Sequence, residues 1–167
     1  LGYCEGNNIG LKQVDSEYCI ILNPDTEVEP NWINEFLREY KNHGEGLYQP
    51  KLLVTSDKTR INSGGNMMNI FGFGYSIGKG KKDSEEFNKF KLINYASGAC
   101  LFTSKKILDK IGFFDPYLFA YHDDLELGWR AAELGIKSFY APSIIVYHTE
   151  SFSFKWSPKK FYLLERN

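Results

Sequence analysis

The chain has almost no net charge: 20 Lys and Arg stand against 21 Asp and Glu in 167 residues. Without a basic excess there is no field to draw it onto a phosphate backbone, which argues against a nucleic-acid partner. Cysteine is scarce as well. Cys4, Cys19 and Cys100 lie far apart with no CxxC spacing, which speaks against a disulfide framework or a cysteine zinc site and suits a reducing compartment. Long apolar runs are also missing. No stretch approaches the ~20 residues that a membrane-spanning helix needs, and no signal-peptide pattern opens the sequence.

What is present is enough apolar material for a core. At 43% apolar and 25% charged, the composition is that of a globular protein, and the length suits one domain. The sequence begins at Leu1 rather than Met and runs out at "FYLLERN", so residues 1–167 are read as a segment of one domain within a longer protein. Aromatic residues reach 16%. Their faces stack on sugars and bases, although most aromatic side chains simply fill cores.

Apolar periodicity gives an alternation of strands and helices. "GNNIGLKQVDSEYCIIL" reads as a helix beginning near Asn8 and then a strand. The strand is apolar on both faces, the mark of a buried strand in a parallel sheet, and Asn23-Pro24-Asp25 ends it. "PNWINEFLREYKNHG" is an amphipathic helix stopped at Gly44, and "LYQPKLLV" another strand. Residues 55–92 hold six of the fifteen glycines and the lysines Lys79, Lys81 and Lys82; they are expected to form mobile loops and short strands. "NYASGACLFTS" is a strand, followed by a short helix capped by Ser104 and stopped by Gly112. "DDLELGWRAAELG" is a further helix ending at Gly135, and "KSFYAPSIIVYHT" supplies one or two last strands. The fold class is α/β, with a mixed, mostly parallel sheet flanked by helices.

Three places carry candidate chemistry. Asp25 follows the carboxyl end of a strand, the rim where open α/β sheets bind ligands; Asn-Pro-Asp-Thr is equally good turn chemistry. In "YHDDLELGWR" one acid would satisfy a helix dipole, whereas Asp123 and Asp124 together can raise the pKa of one of them and so make a base. Glu126 is explained by an ion pair with Arg130 four residues on. His148 also ends a strand. With Asp25 it forms an oxygen-plus-imidazole set suited to Mn²⁺ or Mg²⁺, while a structural histidine remains the alternative. His122 fits either reading, and His43 is read as solvated.

Taken in order, "GNNIG…YCIILNPDTEVEPNWI…YASGACLFTSKKILDKIGFFDPYLFAYHDDLELGWRAAELGIKSFYAPSIIVYHTES…FYLLERN" resembles the family 2 inverting glycosyltransferases, particularly their rhamnosyltransferase-like members. The resemblance covers nearly the whole chain and weakens over 55–92. It implies a GT-A fold, a nucleotide-diphosphate sugar donor, a saccharide or lipid-linked saccharide acceptor, and a divalent metal, Mn²⁺ or Mg²⁺. The family's Asp-x-Asp motif corresponds to Asn23-Pro24-Asp25, which leaves Asp25 as the metal ligand, with His148 matching a late histidine that joins the metal or diphosphate. Asp124 takes the place of the catalytic base, with Asp123 beside it. Ser97 and Gly98 match the strand that faces the donor sugar and acceptor, and Asn8, Lys12, Asn23 and Arg130 fall in donor- or acceptor-binding positions. Relatives act at the cytoplasmic face of the membrane, so peripheral membrane association is expected there.

One departure follows from the same comparison. The resemblance implies two earlier strands that bind base and ribose, and neither is in these residues. The sheet is therefore expected to have an uncovered edge, which invites pairing with another chain, a second copy included. Two other readings stay open at this point: a carbohydrate-recognising or assembly module that keeps the fold without turnover, and a metal hydrolase built on Asp25, His148 and the acid pair.

Overall fold

A computed structural model describes residues 1–149 and 157–167. Helix α1 (Gly2–Lys12) leads into strands β1 (Tyr18–Leu22) and β2 (Thr26–Val28), then helix α2 (Trp32–His43). Strands β3 (Gly46–Val54), β4 (Asp57–Ser63), β5 (Asn66–Met68), β6 (Gly74–Ser76), β7 (Lys91–Ile93) and β8 (Cys100–Ser104) follow. Helix α3 (Lys105–Ile111), helix α4 (Asp123–Glu133), strand β9 (Lys137–His148) and helix α5 (Pro158–Arg166) complete the order.

The main sheet runs β1-β8-β3-β9-β2, with β4 added to β3 and β7 to β9. Side chains alternate across it with the period of two that a pleated strand imposes. Cys19, Ile21, Leu47 and Leu101 point into a core shared with α1, α3 and α4. Tyr18, Ile20, Tyr48, Leu52 and Phe102 point to the opposite core, where Phe36 of α2 stacks on Phe102 at 4.9 Å. Helices thus cover both faces, and that double cover is why "YCIIL" is apolar throughout.

The sheet is mixed, as expected, but the expected parallel majority is not what the described strands show. Only β3 and β9 pair parallel; β1–β8, β8–β3, β3–β4, β9–β2 and β9–β7 are antiparallel. The crossover through α2 does make β1 and β3 parallel to each other. Strand β8 then lies between them, turning one parallel neighbour into two antiparallel ones. Strand β1 consequently ends the sheet, with β8 as its one partner among the described residues, in line with the uncovered edge.

One further expectation changes. Helix α1 begins at Gly2 rather than near Asn8, so Gly6 and Gly10 lie inside it. Two glycines weaken a helix intrinsically; Cys4, Asn8 and Leu11, one buried stripe, hold this one by tertiary contact. Residues 55–92 form loops and short strands, as expected. Strand β4 extends the sheet, β5 and β6 form a hairpin, and buried Lys51 ties the segment down through Asp83 (3.0 and 3.1 Å) and Asn88 (2.5 Å). His43 is exposed, as expected, and also stacks on Phe90 at 3.7 Å. The caps hold as read. The Ser104 hydroxyl accepts from Ile107 N–H, and Gly112 and Gly135 take the left-handed conformations, with φ of 87° and 72°, that end α3 and α4. No described helix is long and apolar enough to cross a membrane.

Candidate functional site

Because β1 and β9 run in one direction and β8 in the other, the carboxyl ends of β1 and β9 and the amino end of β8 meet at one rim of the sheet. A cavity of about 780 Å³ opens there. Its wall carries Asn23, Pro24 and Asp25 beyond β1, Ser97 and Gly98 ahead of β8, and His148 at the end of β9. The turn into α4 adds His122, Asp123 and Asp124. Thus seven of the site residues read from the sequence share one cavity, with His122 beside them.

Asp25 and His148 face each other, Nε2 to Oδ1 at 3.5 Å. The other ring nitrogen, Nδ1, lies 3.1 Å from Asn62 Oδ1, which favours the tautomer with the proton on Nδ1 and the Nε2 lone pair towards Asp25. Asp25 Oδ1 is buried and makes no hydrogen bond among the described residues. A carboxylate oxygen and an imidazole nitrogen at this separation suit a divalent cation, by both charge and donor type. Among the described residues no group of three His, Cys, Asp or Glu side chains surrounds such a point, so the described residues offer two ligands there.

The acid pair is held from behind. Asp124 Oδ2 accepts from Gly98 N–H (3.0 Å) and Oδ1 from Leu125 N–H (2.9 Å). Burial raises the pKa of Asp124, while these two N–H groups pull it down. Burial, and next the charge of Asp124, push Asp123 up to about 8. Two adjacent buried carboxyl groups do not both ionise cheaply. Backbone N–H groups also pull Asp123 down; the arrangement suits a pair that shares one negative charge, with Asp124 assigned as its carrier and Asp123, 6% exposed, as the protonated member.

Gly98 is fixed by close approach. A Cβ there would come within 2.6 Å of the Tyr3 hydroxyl and 3.6 Å of Asp123 Oδ2, and Tyr3 donates to Gly98 O at 2.7 Å. Ser97 N–H donates to Gln49 Oε1 (3.0 Å), Gln49 Nε2 to Ser63 Oγ (2.9 Å), and Ser63 Oγ to Asn66 Oδ1 (2.8 Å). This buried chain joins the Ser97-Gly98 turn to the 55–92 segment, which also sends Asn62, Ser63, Ser76 and Lys79 to the cavity wall. Tyr3, Gln49 and Asn62 were not among the residues read from the sequence. A lone Tyr, Gln or Asn has no spacing signature, and only the strand pairing brings them here.

Three expected binding residues lie elsewhere. The amide of buried Asn8 is engaged twice by the Phe114 backbone, Nδ2 to O at 2.8 Å and N to Oδ1 at 3.0 Å. Arg130 makes the expected ion pair with Glu126, and makes it bidentate (Nε–Oε1 2.5 Å, Nη2–Oε2 2.7 Å), and also reaches the carbonyls of Ile111 and Phe113. Lys12 is exposed at the end of α1. None of the three lines the cavity.

Known proteins share the fold or parts of the sequence. A solved structure of GalNAc-T7 with UDP, GalNAc and Mn²⁺ superposes with a TM-score of 0.70 over 93% of this chain and 32% of its own, at 14% identity; the fold is GT-A-like. A low-salt glycan biosynthesis hexosyltransferase of Haloferax volcanii is 24% identical over 78% of this chain and 43% of its own length. An N-acetylglucosaminyl-diphospho-decaprenol L-rhamnosyltransferase of Mycobacterium tuberculosis is 34% identical over 36% of this chain and 20% of its own. The chain therefore spans less than half the length of these curated relatives. The sequence pattern described as Glycosyl transferase family 2 matches residues 1–112, from α1 through the end of α3, and on that match the chain belongs to glycosyl transferase family 2.

Proposed function

We propose that these residues form the catalytic part of an inverting glycosyltransferase. It would transfer a sugar from a nucleotide-diphosphate donor to a saccharide, free or carried on a lipid diphosphate. The observation that carries the reading is the meeting, in one cavity, of the Asp25–His148 pair with the Asp123–Asp124 pair. One set suits a diphosphate's cation, and the other holds a base. The names of the relatives, a hexosyltransferase and a rhamnosyltransferase acting on a diphospho-decaprenol, support the substrate class and a place in glycan assembly. The family resemblance, rather than these names, is the ground for placing the whole protein at the cytoplasmic face of a membrane.

In this mechanism the acceptor hydroxyl oxygen attacks the anomeric carbon, and the bond from that carbon to the diphosphate oxygen breaks on the opposite face. The hydroxyl proton passes to a carboxylate oxygen of Asp124, whose aim is set by Gly98 and Leu125 N–H. Asp123 stays protonated and leaves one negative charge on the pair. Asp25 and His148 would hold Mn²⁺ or Mg²⁺, which when bound offsets the charge developing on the leaving diphosphate. The wall from Ser97 to Ala99 positions the sugar, and Lys79 and Lys160 line the same cavity.

The test is Asp124→Asn in the full-length protein. Turnover is expected to fall by about 10²–10⁴-fold while the donor's dissociation constant, measured by calorimetry, changes little. Retained turnover would remove Asp124 from the role of base, and the non-catalytic module would become the better reading.

A further inference from the structure

The turn that delivers the acid pair is strained. Within four residues, Phe119, Tyr121 and His122 take positive φ values of 65°, 69° and 59°, a region that side chains other than glycine rarely occupy. Phe119, with ψ of −55°, is the centre of a γ-turn closed by Ala120 N–H to Leu118 O at 2.7 Å. Such a conformation persists only where its surroundings over-determine it.

The surroundings that do so come largely from the far end of the chain. Arg166 Nη2 donates to Tyr117 O (2.6 Å) and Leu118 O (2.8 Å). Asn167 Nδ2 lies 2.9 Å from the carbonyls of Leu118, Ala120 and Tyr121. Arg166 also donates to Asn167 Oδ1, from Nε at 2.9 Å and Nη2 at 2.7 Å. That contact settles which way the amide points, oxygen to the guanidinium and NH₂ to the turn. Two side chains thus gather four carbonyls of one turn, from the residues just before Asp123. On the other side, Phe119 O accepts from Cys4 N–H at 3.2 Å.

We infer that Arg166 and Asn167 are positioning residues: they clamp the 117–122 turn in its strained form and so fix the direction of Asp123 and Asp124 at the head of α4. The inference rests on the proposed role of Asp124, and its test separates the two. In the full-length protein, Asn167→Ala and the isosteric Asn167→Asp, which keeps volume and attraction to Arg166 but removes the donors, are compared with Asp124→Asn. Amide hydrogen exchange is read at Gly98 and Leu125, whose N–H groups bind Asp124, and at Ile107, whose N–H binds Ser104, as the reference. Turnover and donor affinity are measured with UDP-glucose, UDP-N-acetylglucosamine, GDP-mannose and dTDP-L-rhamnose in Mn²⁺.

Both Asn167 variants are expected to speed exchange at Gly98 and Leu125 but not at Ile107. They are expected to lower kcat by about 10–100-fold, the scale of a misplacement near 1 Å, with donor affinity within about threefold of wild type. Unchanged exchange at Gly98 and Leu125 overturns the clamp whatever the kinetics. Faster exchange with full turnover overturns the positioning role, as does an affinity loss as large as the kcat loss, which would make the clamp a support of the cavity wall. An active Asp124→Asn enzyme would count against the base assignment alone, because the exchange result does not depend on it.

Discussion

A buried carboxyl group beside another keeps its proton to unusually high pH, and Asp123 makes that a measurable property. Between the ordinary aspartate pKa of ~3.9 and its folded value of about 8, the folded chain holds a proton that the unfolded chain has released. Stability must therefore fall as pH rises through that window. Asp123→Asn removes the dependence: its Tm is expected to exceed that of wild type at pH 8, by about 2–4 °C for each kcal/mol relieved, and to approach it towards pH 4, followed by thermal unfolding across pH. Gly98 offers a second test. In Gly98→Ala the new methyl meets the Tyr3 hydroxyl, and a cost of about 1–3 kcal/mol is expected. Tyr3→Phe in the same chain removes the obstructing oxygen, so the double variant should recover part of that loss in denaturant unfolding. At this scale Asp25, Asp123, Asp124 and His148 were legible as one group, because paired acids and a strand-end Asp or His are conspicuous, whereas Lys12 and Arg130 lie away from the cavity they were expected to line. The sequence did not identify Gln49, Asn62 or Asn167, whose importance lies in which backbone groups the fold brings to them.

Among the elements, α1 is the least self-sufficient. Gly6 and Gly10 lie inside it with open space where a Cβ would go, so replacing both with alanine is expected to stabilise the protein by about 0.4–1 kcal/mol each, measured by chemical unfolding. Ser104→Ala at the head of α3 should cost about 0.5–2 kcal/mol, since Ile107 N–H would lose its acceptor. The difference between the helices explains what could be read from the residues alone. Helices α3 and α4 announce themselves through local chemistry, a serine cap, terminal glycines and a Glu126–Arg130 pair, and their limits were legible. Helix α1 has glycines where a turn would have them; it is helical because Cys4 and Leu11 are buried and Asn8 is locked to Phe114. The direction of β8 was equally hidden, since an apolar strand covered on both faces reads the same whichever way it runs.

At the scale of the whole molecule, the sheet rim gathers strand ends from opposite halves of the chain, and the C-terminal helix closes the far side against the turn before α4. The site is thus a property of the assembled sheet. Strand β1 leaves one edge without a partner among the described residues, and the matched stretch makes up less than half of the relatives' own length. Strands from outside residues 1–167 covering β1 would complete the donor site, so the full-length protein is expected to bind a nucleotide sugar more tightly than these residues alone. The most direct test of the central claim is calorimetric titration of the full-length protein, wild type and Asp25→Ala, with UDP-, GDP- and dTDP-sugars, each with and without Mn²⁺. The account predicts that one donor binds the wild type in a Mn²⁺-dependent way and that Asp25→Ala weakens this binding by about 10–100-fold. Binding that is equally tight without Mn²⁺ and in Asp25→Ala, or no binding of any donor, would contradict it.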